Sequence, residues 1–112
     1  MDLNAAQDLA HSLMAEYGVR APWTFAFDNP TRRMGLSNFK KRCISISRHY
    51  TEHATEAQVR DTVLHEIAHA IAGGRAQHGP QWKQVAKRIG ATPKACGDNP
   101  FASSEGEVAK LL

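Results

Sequence analysis

The stretch TEAQVRDTVLHEIAHAIAGG, residues 55–74, decides the fold. Thr55 and Gln58 have the spacing of a capping box, in which each side chain accepts the other residue's backbone N–H. Val59, Val63, Ile67 and Ile71 recur every fourth residue, with Leu64 and Ala70 alongside. Such spacing predicts a helix with one apolar arc. Gly73 and Gly74 stand where a left-handed C-cap would end it. His65 and His69 fall one turn apart on a face outside the arc, so both imidazoles can reach one metal ion. Glu66 sits on the next stripe, about 100° round the helix. It is therefore beside the ion without being a ligand. Two fixed nitrogens, an open coordination position and a carboxylate able to take a proton from water are the parts of a hydrolytic zinc centre.

A third ligand is needed, and His78 is the candidate. It follows His69 by nine residues, just past the double glycine. Pro80 is suited to the first turn of a further helix. Trp82, Val85, Ala86 and Ile89 have the spacing of a buried stripe on that helix. A ligand at the start of a packed helix is held more firmly than one on a free loop. Rivals are weaker. The spacing H-E-x-x-H-x-x-G-x-x-H is not met, because Ala72 and Arg75 occupy its Gly and third His positions. Glu105 and Glu107 lie in a tail of small and polar residues from Gly97 onward.

The run Leu64 to Ala70, followed by His78-Gly79-Pro80-Gln81-Trp82, resembles the SprT-like family, which includes the Spartan proteases. A Trp-containing strand (residues 23–27), a basic segment with Gly (32–35) and the strand ending Ile44-Ser45-Ile46-Ser47 extend the resemblance over residues 3–95. It implies a zinc peptidase with His65, His69 and His78 as ligands and Glu66 as catalytic base. The well-known members cleave proteins attached to DNA. Many relatives carry a following zinc ribbon of four Cys or similar ligands. Here Cys96 stands there with no C-x-x-C, so one zinc ion is expected and the ribbon is taken as absent.

The chain has 112 residues, 42% of them hydrophobic, enough for one domain with a modest core. Residues 1–95 are read as the peptidase domain and 96–112 as a tail. No run of 18 apolar residues suggests a membrane span. The N-terminus lacks a basic-then-apolar leader pattern. Two cysteines make no disulfide framework, and Cys43 reads as a small residue in a strand. A cytoplasmic monomer is expected, with association to the nucleoid as an option.

Net charge is +3, but it is unevenly spread. Residues 20–50 set seven cations against Asp28 alone, and residues 72–95 hold five cations and no acid. Two basic blocks on an otherwise acidic chain suit a polyanion. Arg32, Arg33, Lys40, Lys41, Arg42, Lys83 and Lys87 are the candidate DNA contacts. No base-reading motif is present, so contact would be phosphate-led and salt-sensitive.

Leu3 to Tyr17 repeats at helical spacing and Gly18 closes the run. Trp23, Phe25 and Phe27 alternate as a strand facing the core. Two strands near 33–39 and 42–48 would form a hairpin about Lys40-Lys41, with Ile44 and Ile46 inward and Ser45 and Ser47 outward. His49 and His53 fall in a loop. The expected architecture is α+β and zincin-like. A short antiparallel three-stranded sheet would pack on the N-terminal helix, the H-E-x-x-H helix and the ligand-bearing C-terminal helix. Its edge strand could run beside an extended substrate. Arg48, His49 and Tyr50 are oxyanion candidates by position. A protein of another class, a zinc-stabilised DNA-binding or adaptor module without turnover, would need a fourth protein ligand, for which Cys96 is the candidate.

Overall fold

A computed structural model describes residues 1–94 and 98–101. Helix α1 spans Leu3–Glu16, and Asp2 caps it by accepting the Ala5 N–H at 2.9 Å. Strands follow at Thr24–Asp28 (β1), Gly35–Asn38 (β2) and Cys43–Ser47 (β3). Then come α2 at Arg48–His53, α3 at Glu56–Ala72, a 3-10 turn at Gly74–Ala76 and α4 at Pro80–Ile89. No helix among the described residues is long and apolar enough to cross a membrane.

The three strands form one sheet in the order β1-β3-β2. β2 and β3 make the expected antiparallel hairpin, with Leu36 opposite Ser45. β1 is different: it pairs with β3 in parallel, Phe25 beside Ile44. The sheet is therefore mixed, not antiparallel throughout. Residues 29–34 carry the chain past β1's neighbour, and β3 returns into the gap. Local alternation does not reveal this, because a strand's side-chain pattern is the same in either pairing sense.

The central position of β3 explains a second departure. Ile44 and Ile46 are fully buried as expected, but Ser45 and Ser47 are buried too. Both hydroxyls are satisfied: Ser45 donates to Asp28 Oδ2 at 2.7 Å, and Ser47 accepts the Tyr50 N–H at 3.2 Å. The latter bond caps α2, a helix where the sequence reading placed a loop. A Ser followed by helix-compatible residues was its sequence signal.

α3 begins with the capping box, whose two bonds measure 3.2 and 2.9 Å. Val59, Val63 and Ile67 are fully buried. The last residue of the arc, Ile71, is 38% exposed. Thr62 to Ala68 are buried, because β2 lies along the Thr62 and Glu66 side of the helix and Trp82 of α4 packs against the histidines. Gly73 closes the helix at φ +95° and ψ 157°. That is a positive-φ turn but not a left-handed cap, and it sends the chain into the 3-10 turn that delivers His78. Pro80 opens α4, whose apolar stripe buries Trp82, Ala86 and Ile89.

Candidate metal centre

His65 comes from the body of α3, His69 from its last turn, and His78 from the loop before α4. Their ring nitrogens converge within 4.8 Å of one another. His78 Nε2 lies 3.0 Å from His69 Nε2 and 3.2 Å from His65 Nε2. Zinc–nitrogen bonds of about 2.0–2.1 Å in a tetrahedron put ligand nitrogens about 3.3 Å apart. The separations fit that donor set. Among the described residues three ligands converge, the number a catalytic centre uses.

Trp82 is the floor of this cluster. Fully buried, it lies with its ring centroid 4.7 Å from His65, 5.3 Å from His69 and 4.9 Å from His78. Its indole N–H donates to the His65 carbonyl at 3.3 Å. The residue that the sequence offered as a core filler thus also fixes where the imidazoles stand.

Burial sets the protonation of the site. The His65 imidazole is pushed down from 6.5 to about 4, by burial first and then by the neighbouring His69 and His78, with Asp61 opposing. His69 is also lowered to about 4, by burial and then by His78. Both are neutral at pH 7, as metal ligation requires. Glu66 moves the other way, from 4.5 to about 7, because burial disfavours its charge. The Ser37 hydrogen bond and the Arg33 charge oppose that rise, while Asp28 adds to it. A divalent cation on the three imidazoles would favour the carboxylate further.

Glu66 is held from β2. The Ser37 hydroxyl lies 2.9 Å from Glu66 Oε1 and 2.8 Å from the Glu66 carbonyl oxygen. Gly35 makes room for the other carboxylate oxygen: a Cβ there would stand 3.1 Å from Glu66 Oε2. Ser37 was not singled out from the sequence, and Gly35 entered only as the glycine of the basic segment in the family resemblance. Their role depends on β2 lying along α3, a non-local fact.

A cleft of about 510 Å³ opens over the cluster. The three histidines and Glu66 line it on one side, Gly35, Leu36 and Ser37 of β2 on the other. Phe39 closes one end, against Gly74, and Arg33 and Asp98 also line it. The oxyanion candidates Arg48, His49 and Tyr50 are not among its lining residues. Tyr50 is buried with its hydroxyl on the Gln58 carbonyl, His49 meets Asn99, and Arg48 lies over the Phe27 ring.

Of the cationic candidates, Lys40, Lys41 and Arg42 lie exposed at the β2–β3 turn, and Arg32 is exposed before β2. Lys83 and Lys87 are exposed on α4. Arg33 differs: it is partly buried, ion-paired to Asp28 at 2.7 Å and set in the cleft. Cys96, Glu105 and Glu107 lie outside the described residues.

A family model described as the SprT-like family matches residues 6–102. Among solved structures, the chain is similar to the metallopeptidase zymogen of Methanocaldococcus jannaschii jannalysin. The TM-score is 0.65 at 13% identity, covering 96% of this chain and 97% of that one. That likeness is one of fold. Comparison with curated proteins yields no match.

Proposed function

The chain belongs to the SprT-like family and has the fold of a metallopeptidase, and from that premise we propose that it is a zinc-dependent endopeptidase acting on proteins associated with or crosslinked to DNA. The observation that carries the peptidase reading is the convergence of His65, His69 and His78 with Glu66 beside them in an open cleft. These three imidazoles would hold one zinc ion. When bound, zinc lowers the pKa of water and polarises a carbonyl.

The chain's own residues do the rest. Glu66 accepts a proton from the attacking water and hands it to the leaving amine, a role suited to a carboxyl whose pKa lies near the working pH. Ser37 keeps Oε1 in place between those two transfers. Among the described residues β2 is an edge strand. Ser47 N–H bonds to the Met34 carbonyl, so in this register Leu36 and Asn38 bond to β3 while Gly35 and Ser37 turn their N–H and C=O to the open edge. An extended peptide added there would lie over the metal site, held by main-chain bonds with little sequence preference.

The DNA part of the reading rests on charge. Exposed Arg32, Lys40, Lys41, Arg42, Lys83 and Lys87 offer phosphate contacts. The protein is read as a cytoplasmic monomer. The test is cleavage of a DNA-binding protein with and without DNA, at two salt concentrations, with a chelator control. Chelator-sensitive cleavage stimulated by DNA at low salt is expected. Chelator-sensitive cleavage indifferent to DNA would remove the DNA part and leave the peptidase.

A further inference from the structure

We infer that Arg33 is a substrate-positioning residue: its guanidinium donates to a main-chain carbonyl oxygen of the bound peptide, on the Gly35 side of the scissile bond. This rests on reading β2 as the strand beside which substrate lies.

Among the described residues, Arg33 is the one Arg or Lys lining the cleft. It stands two residues before Gly35, whose backbone faces the open edge. A peptide running along that edge past Gly35 comes next to Arg33. The side chain is also fixed. Nη2 donates to Asp28 Oδ2 at 2.7 Å, and the same oxygen takes the Ser45 hydroxyl at 2.7 Å. The guanidinium is thus anchored to the central strand of the sheet. Its loop is pinned as well: the fully buried Asn99 donates its backbone N–H to the Arg32 carbonyl at 2.6 Å and its side-chain amide to the Thr31 carbonyl at 2.8 Å. A solvated surface arginine has no such scaffold.

The contact with Asp28 is single. A structural Arg–carboxylate pair gains most from a two-pronged fork. Among the described residues Asp28 Oδ1 and Arg33 Nε are buried without partners, so neither is open to a ligand. Among the described residues the Nη2 bond is the one hydrogen bond given to this guanidinium, and the side chain is 41% exposed. Donors therefore remain for a ligand in the cleft. A neutral acceptor suits them better than a carboxylate, because Asp28 already offsets the charge and Asp98 lines the same cleft. Peptide carbonyls occur at every residue, so this contact would position substrate without choosing sequence.

The experiment compares Arg33→Ala, Arg33→Gln and wild type on one long peptide and on versions shortened from either end. Zinc content and unfolding temperature are measured alongside. Arg33→Ala should lose about 10- to 100-fold in kcat/KM on the long peptide, mostly through KM, the range for a hydrogen bond from a charged donor. Arg33→Gln, which keeps N–H donors without charge, should lose less. One of the two shortened peptides should be a poor substrate for wild type and show no further loss with Arg33→Ala. Equal loss on all three peptides, or no loss, overturns the inference. So does a loss that appears only when the peptide carries an acidic side chain. Binding of the long peptide to zinc-loaded Glu66→Gln, with and without Arg33→Ala, separates this from the wider reading. Arg33-dependent binding by a protein whose Glu66 form cleaves nothing refutes the peptidase reading alone. Cleavage by wild type with Arg33-independent binding refutes this inference alone. Neither binding nor cleavage refutes both.

Discussion

Ser37 on the edge strand and Glu66 on the metal helix are joined through a single hydroxyl, 2.9 Å from the carboxylate and 2.8 Å from the same residue's carbonyl oxygen. The contact couples the proposed proton carrier to the strand on which substrate would lie. Ser37→Ala removes a bond that lowers the Glu66 pKa. Its acid dissociation should therefore move to higher pH, and the acid limb of the kcat/KM profile should shift upward. Stability should fall by about 1 kcal/mol, a typical value for one hydrogen bond. A pH–rate series with unfolding curves checks both.

Gly35→Ala should be worse than its size suggests. The new Cβ would approach Glu66 Oε2 and the Ser45 carbonyl at 3.1 Å, and Thr62 Cγ2 at 3.2 Å. Two of those neighbours are on a packed helix and one is sheet backbone, so the carboxylate is the group that yields. We expect hydrolysis to drop at least tenfold and stability to fall by about 1–3 kcal/mol, as for overpacking elsewhere. Zinc content should be unchanged, which metal analysis would verify.

Trp82→Phe tests the floor of the cluster. It keeps most of the apolar volume but loses the N–H that meets the His65 carbonyl. A loss of about 1–2 kcal/mol and weaker zinc affinity are expected, whereas Trp82→Ala should cost about 3–5 kcal/mol. Chelator competition and denaturant unfolding give the two quantities.

The metal-free protein should have a distinctive pH profile. His65 and His69 titrate near 4 when folded and near 6.5 when unfolded, so the unfolded chain binds more protons between those values. Stability then rises with pH from about 4 to 6.5. Glu66 acts oppositely. Raised from 4.5 to about 7, it contributes stability that is full below 4.5 and lost as pH rises through 7. Two imidazoles outweigh one carboxylate, giving a net rise and then a slight fall between 6.5 and 7. Glu66→Gln should steepen the rise and remove the fall. Urea unfolding of chelator-treated protein across pH 4–8 measures this.

What could be read from residues alone was the local chemistry. The capping box, the four-residue apolar repeat and Pro80 after His78 placed α3 and α4, and with them the three imidazoles. Each of these signals lies within a turn or two of the feature it predicts. The parallel pairing of β1 with β3 was not legible, since alternation of Phe25 and Phe27 is indifferent to a partner's direction. Ser45 and Ser47 were misplaced as well: Ser45 is bonded to Asp28 across the β1–β3 pair, and Ser47 turns in to cap α2. Ser37, Gly35 and Arg33 join the site through β2 lying against α3 and β3, contacts between residues far apart in the chain.

The central claim is that a three-histidine metal site works with Glu66 as its proton carrier. Zinc content and peptide hydrolysis measured together on Glu66→Gln test it most directly. The account predicts one zinc per chain, as in wild type, with hydrolysis reduced by about 10²- to 10⁴-fold, the range for loss of a positioned general base. A zinc-loaded Glu66→Gln protein that cleaves at the wild-type rate would contradict it.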